Sequence, residues 1–355
     1  MAVYTNINDS EAFFQCKLYS GNGTAIGSGG NSITFDGDTD LAPGMLWLKR
    51  RDSTSSHNVH DVVRGAQNRL YPDTTDAQDT SVTESVNAFT SDGFNLGNSG
   101  GGNASGGTYV AWCWKAGGSA SSQTDGDIDT SRSVNTTSGF SIATYTGNAT
   151  NGATRGHGLG VVPHMIVVKN TTDSVKWYVY HHKNTAAPET DYLELNAANA
   201  TADQAGWNDT APTSTLVTTS DGSEVNASGK GYVMYSWVGK QGFSKFGSFI
   251  GNGNADGPFV YLGFKPAMVI IKDTGAAVGW GMYDNKRNGY NQDNKTLYAQ
   301  SNSGEDAGGY VDLLSNGFKI TSSSAWQNRS GGTFIYMAWA EAPFVNSNGV
   351  PCNAR

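Results

Sequence analysis

Pro43-Gly44-Met45-Leu46-Trp47-Leu48-Lys49, Pro163-His164-Met165-Ile166-Val167-Val168-Lys169 and Pro266-Ala267-Met268-Val269-Ile270-Ile271-Lys272 are one segment written three times. The pattern is Pro, any residue, Met, three apolar residues, Lys. An apolar run of this length, opened by a proline, reads as a strand buried on both faces, with the proline where no ladder donor is lost. The lysines fall where the strand leaves the core, and are expected to snorkel at the sheet rim.

Working outward, a second block begins 14 residues after each proline: His57-Asn58-Val59-His60, Trp177-Tyr178-Val179-Tyr180 and Trp280-Gly281-Met282-Tyr283. A third block follows at 66, 69 and 68 residues: Tyr109 to Trp114, Tyr232 to Trp237 and Phe334 to Trp339. Its two faces are both apolar, Val110, Trp112 and Trp114 on one and Tyr109, Ala111 and Cys113 on the other, with the same split in the sister blocks. One face fills a core; loops, a neighbouring repeat or another subunit must cover the second. Ahead of each proline lies a Gly-Asn turn (Gly21-Asn22, Gly147-Asn148, Gly251-Asn252). Asp92-Gly93-Phe94 and Asn316-Gly317-Phe318 read as hairpin turns, with Asp221-Gly222-Ser223 in their place in the middle copy. Blocks recurring in fixed order at near-constant spacing establish an internal repeat.

The expected fold is all-β: three tandem antiparallel β-sandwich, jelly-roll-like domains. The expected boundaries are 1–117 for repeat one, 139–241 for repeat two and 242–345 for repeat three, with a tail at 346–355. Residues 118–138, rich in Gly, Ser, Asp and Thr, read as a flexible linker that leaves repeat one on a looser tether than the contiguous repeats two and three. Composition agrees with strands and turns: 46 glycines in 355 residues is about twice the typical ~7% share. Only 15% of residues are charged, leaving few of the Glu, Lys and Arg that long helices favour.

A net charge of −8 with no basic cluster argues against nucleic-acid binding. No apolar run approaches the ~18 residues of a membrane span, so no membrane insertion is expected. Met1 to Ser10 lacks the basic and apolar regions of a Sec signal. Cys16, Cys113 and Cys352 stand far apart, with no disulfide framework or zinc spacing, which fits a reducing cytoplasm.

No nucleophile elbow, P-loop or dinucleotide fingerprint appears, and the chain is read as non-enzymatic, with no cofactor. His181-His182 follows a strand and reads as exposed turn residues, without a third metal ligand. Asp36, Asp38 and Asp40, like Asp125, Asp127 and Asp129, resemble the start of a calcium loop but lack its later Gly and Glu; solvated acidic loops are the competing reading. Trp207, Tyr290 and Trp326 lie in polar, loop-like surroundings, where aromatic rings can stack on sugars or anchor a partner, or else cap the ends of a sandwich.

The run from Gly139-Phe140-Ser141-Ile142 through Tyr145-Thr146-Gly147 and His157-Gly158-Leu159-Gly160 resembles a repeat domain of marine tailed-phage virion proteins. So do Phe243 to Gly253 with Gly257-Pro258-Phe259-Val260-Tyr261, and the close Phe334 to Phe344. In repeat one, Asp61-Val62-Val63-Arg64-Gly65 and Tyr109-Val110-Ala111-Trp112 are similar. The resemblance implies a virion structural protein made in the host cytoplasm, foremost a tail-fibre or adhesion component contacting the host surface. Its alternatives are a capsid-surface decoration or head-fibre protein and a lectin-like carbohydrate-binding module; a polysaccharide depolymerase is a further candidate. The partners implied are other virion proteins and a host surface glycan or receptor. The two-sided apolar strands, with the habit of phage fibres, suggest a homotrimer.

Overall fold

A computed structural model describes residues 4–81, 84–288, 290–291 and 293–352, without the side chains of residues 293, 294, 308 and 309. Among the described residues each repeat contributes eight strands. In repeat one these are β1 (Phe14–Ser20), β2 (Asn31–Thr34), β3 (Met45–Arg50), β4 (Asn58–Asp61), β5 (Gly65–Leu70), β6 (Val86–Thr90), β7 (Gly93–Leu96) and β8 (Thr108–Trp114). Two more, β9 (Ser121–Gln123) and β10 (Thr130–Asn135), precede repeat two. Repeat two has β11 (Phe140–Thr146), β12 (Ala153–Gly156), β13 (Met165–Asn170), β14 (Tyr178–His181), β15 (Asp191–Glu194), β16 (Ala202–Asp203), β17 (Leu216–Thr219) and β18 (Gly231–Trp237). Repeat three has β19 (Ser244–Ile250), β20 (Phe259–Tyr261), β21 (Phe264–Asp273), β22 (Gly281–Asp284), β23 (Asp293–Tyr298), β24 (Asp306–Leu314), β25 (Gly317–Ile320) and β26 (Thr333–Pro343). Two single-turn helices, α1 (Gly100–Asn103) and α2 (Ala325–Asn328), occupy matching places before β8 and β26.

The fold is all-β and antiparallel. Each main sheet places its first, eighth, third, fourth and fifth strands in that order: β1-β8-β3-β4-β5, β11-β18-β13-β14-β15 and β19-β26-β21-β22-β23. The register repeats as well, pairing Met45 with Trp114, Met165 with Trp237 and Met268 with Trp339. The third and eighth strands are therefore central, as their two apolar faces require. A second layer holds β2-β7-β6 in repeat one and β12-β17 in repeat two; in repeat three β24, β25 and β20 continue the main sheet. The β6–β7 and β24–β25 hairpins form where Asp92-Gly93 and Asn316-Gly317 stand, whereas Asp221-Gly222 makes no hairpin.

The second apolar faces are covered by neighbouring repeats. Trp112, Trp114, Tyr235, Trp237, Met337 and Trp339 all lie in one core that spans the three repeats. Trp339 touches Phe14 and Trp114 of repeat one, Trp237 of repeat two and Phe246 of its own repeat, with ring centroids 5.1–6.4 Å apart. A cavity of about 30 Å³ remains at this junction, walled by apolar side chains including the three equivalent tryptophans. Repeats one and two keep smaller private cores on their opposite faces, around Leu46, Leu48 and Phe94 and around Ile166, Tyr178 and Trp207.

Three corrections to the sequence reading follow. Residues 118–138 are not a flexible linker: β10 pairs with β11 and β9 pairs with β10, extending the sheet of repeat two. Ser and Thr suit a solvated edge strand, and the acidic residues here anchor the segment. Asp125 holds Arg132 through both carboxylate oxygens (2.7 and 3.0 Å), and Asp127 accepts from Thr154 N and Oγ1 (2.9 and 2.7 Å). Repeat one is not loosely tethered, since it contributes to the common core and bonds to both other repeats. Lys49, Lys169 and Lys272 do not snorkel; all three are fully buried.

Candidate functional site

The buried lysines sit where each repeat meets the next. Lys49 Nζ donates to Asn302 O (3.2 Å) of repeat three, Lys169 Nζ to Thr75 O (2.8 Å) of repeat one, and Lys272 Nζ to Ala198 O (3.4 Å) of repeat two. The 14-residue position makes a parallel set. Trp177 Nε1 donates to Tyr71 O (2.9 Å) and Trp280 Nε1 to Glu194 O (2.8 Å). His57 lies within 3.1–3.2 Å of Tyr298 O and Ser301 O through Nε2. Because Trp47 Nε1 donates to His57 Nδ1 (2.8 Å), the imidazole proton belongs on Nε2, and His57 does the work of its sister indoles. One, three, two and back to one: the contacts run in a single sense and close, as a heterologous interface does in a three-membered ring.

A third set shows matched substitution. Asp61, His181 and Asp284 stand 18 residues after their prolines. Asp61 accepts from Tyr235 Oη (2.6 Å) and Asp284 from Trp112 Nε1 (3.0 Å), each aspartate also holding an arginine three residues on, Arg64 or Arg287. In repeat three the residue that matches Trp112 and Tyr235 is Met337, which has no donor. His181 Nδ1 instead accepts from Lys183 N (3.2 Å), leaving Nε2 to donate to Tyr336 O (3.3 Å). His181 is thus buried rather than an exposed turn residue, while His182 stacks on His164 with ring centroids 4.3 Å apart.

The aromatic candidates do not converge on one site. Trp207 is buried against Tyr178 and Tyr180 in the private core of repeat two, because the backbone before β17 folds its ring inward. Tyr290 is 80% exposed and Trp326 is 50% exposed. Trp326 lies in α2, whose Ser324 cap accepts from Trp326 N, and its ring meets Tyr298 edge-on at 5.7 Å. Asp36 faces Lys17 (3.5 Å) and Lys286 (3.9 Å), and Asp38 N donates to Glu11 Oε2. Among the described residues, neither these with Asp40 nor any other His, Cys, Asp or Glu side chains gather into a metal-ligating group of three or more.

A groove of about 450 Å³ opens where β9 and β10 meet the junction of repeats one and two. Asp129, Thr130 and Ser131 of the β10 approach, Thr144 and Thr146 of β11, and Gln78 of repeat one line it. Tyr145 and Tyr232 bring strand backbone to its floor, while their stacked rings, 5.0 Å apart and 9° from parallel, lie on the other face of the sheet in the private core of repeat two. Gln78 N donates to Thr171 O (3.0 Å), stitching the two repeats together at its edge.

A family model described as a domain of unknown function, DUF7483, matches residues 9–343. The chain belongs to the DUF7483 family. No curated protein and no solved structure matches it. The DUF7483 span takes in all three repeats as one unit, which agrees with their common core. Sequence reasoning did not find the groove of this DUF7483 chain. Its walls come from segments scattered between Val63 and Tyr232, and the local signal was the Asp125, Asp127, Asp129 series.

Proposed function

We propose that this DUF7483 chain is a non-enzymatic structural protein of a phage virion, an adhesion or fibre component of the tail that contacts the host surface. The ring is the observation that carries this reading. Three repeats are joined by buried lysine, indole and carboxylate hydrogen bonds around one apolar core, giving a rigid mount whose repeat-specific loops are free to differ. The resemblance of the repeats to those of tailed-phage virion proteins supports the same reading. A carbohydrate-binding role has its own support in the groove, whose volume lies within the ~300–1,000 Å³ usual for small-molecule sites.

Immunogold labelling of purified particles, or a reconstruction of the virion, tests the proposal. Density or label at the tail is the expected result. Placement on the capsid would overturn the tail assignment in favour of a decoration or head-fibre role, and absence from particles would overturn the virion reading altogether.

A further inference from the structure

The groove between repeats one and two is built in part from the β9–β10 hairpin, an addition that repeats one and three lack among the described residues. Its polar groups are unevenly engaged. Arg64 looks like an anion-binding group, but all five of its N–H donors are taken: Nε by Asp61, Nη1 by Asn68 O and Gln78 Oε1, Nη2 by Val59 O and Tyr235 Oη. Asp129 is exposed and has no ion-pair partner among the described residues. The charge left to meet a ligand is therefore negative, which disfavours phosphates, nucleic acids and acidic sugars.

Ser122, Ser131, Thr144 and Thr146 share one face of the sheet of repeat two, the face that borders the groove. Among the described residues, Ser122, Thr146 and the Gln78 amide nitrogen have no side-chain hydrogen-bond partner, whereas Gln78 Oε1 accepts from Arg64. Strand backbone fixes most of these groups. On the other face of the sheet Tyr145 Oη donates to Val225 O (2.7 Å) and Tyr232 Oη to Ser223 O (2.8 Å), so the strands beneath the groove are held before any ligand arrives.

We propose that this groove binds one or two rings of a neutral or amino-sugar glycan, with Asp129 accepting from adjacent sugar hydroxyls and the Ser122, Thr146 and Gln78 side chains completing the hydrogen bonds. A carboxylate suits a vicinal diol because its two oxygens can accept from both hydroxyls at once. The inference rests on the adhesion reading and names the chemistry that adhesion would use.

The test is a glycan array probed with the full chain, followed by calorimetric titration of the strongest hit. Neutral or amino-sugar glycans are expected to bind in preference to uronic or sialic acids. Asp129→Ala and the groove-filling Thr146→Trp should each weaken binding about tenfold or more, with the melting temperature held, while Trp326→Ala leaves it unchanged. No hit, a preference for acidic glycans, or binding indifferent to Thr146→Trp would overturn the proposal. Particle labelling separates the two readings. Virion-located protein without groove-dependent binding overturns the site alone; groove-dependent binding by protein absent from particles overturns the virion assignment alone.

Discussion

Burial of His57, His60 and His181 makes the molecule acid-sensitive. Their surroundings press all three pKa values down, chiefly by desolvation, to about 3 for His60. Below pH 6.5 the unfolded chain takes up protons that the folded chain refuses. Stability is therefore lost as pH falls, by about 1.4 kcal/mol per pH unit for each histidine still neutral. Thermal melts from pH 7 to pH 4 will show this slope. The double variant Trp47→Val with His57→Trp, which reproduces the Val167 and Trp177 pair of repeat two, should make it shallower by the His57 share, leaving that of His60 and His181. The lysines act at the other end of the scale. Burial brings Lys49, Lys169 and Lys272 down to about 8 from an ordinary 10.5. In that window the unfolded chain binds more protons, so stability should rise from pH 8 until tyrosine ionisation near 10 opposes it. A melting temperature that falls steadily above pH 8 would contradict this account.

At the scale of elements, the Gly-Asn turns are clasps. Asn22, Asn148 and Asn252 each exchange hydrogen bonds with a buried asparagine 81, 78 and 76 residues later: Asn103, Asn226 and Asn328. The preceding glycine is required by space. A Cβ on Gly21, Gly147 or Gly251 would lie 2.1–2.4 Å from the backbone oxygen of Ala104, Ala227 or Arg329. Each clasp ties the start of a repeat to the turn before its eighth strand, fixing where that strand begins. Asn226→Ala strands the partners of three hydrogen bonds, among them Asn148 N and Thr150 O. It should cost roughly 2–4 kcal/mol, read as a lowered denaturation midpoint in urea. Tyr235→Phe, which removes the hydrogen bond donated to Asp61 and the one accepted from Arg64 Nη2, should cost about 1.5–3 kcal/mol. Asp61 keeps Arg64 in that variant.

For the whole molecule, a shared core means shared stability. Trp339 touches all three repeats, and Trp339→Ala should destabilise by about 3–5 kcal/mol and lower the entire unfolding transition rather than one part of it. Urea unfolding followed by tryptophan fluorescence and by far-ultraviolet dichroism should coincide in a single transition; three separable transitions would mean three independent domains. The homotrimer suggested by two-sided apolar strands also changes meaning here. The faces that called for partner subunits are closed by the chain's own repeats, so one chain supplies the threefold arrangement.

Sequence alone determined the repeat, its period, the all-β class and which strands are central, because strand burial on two faces and turn chemistry are written locally as apolar runs, prolines and Gly-Asn pairs. Tertiary structure decided how the repeats meet. Lys169 and Thr75, Trp177 and Tyr71, or Tyr235 and Asp61 lie about 90 to 175 residues apart, and no local pattern signals that such groups will share a buried interface. The same reason hid the groove. Asp129 and Thr130 read as linker residues until β10 pairs with β11 and brings them beside Gln78 of another repeat. The aromatic candidates divided likewise: polar neighbours in sequence made Trp207, Tyr290 and Trp326 look alike, and only packing buried the first while leaving the other two in solvent.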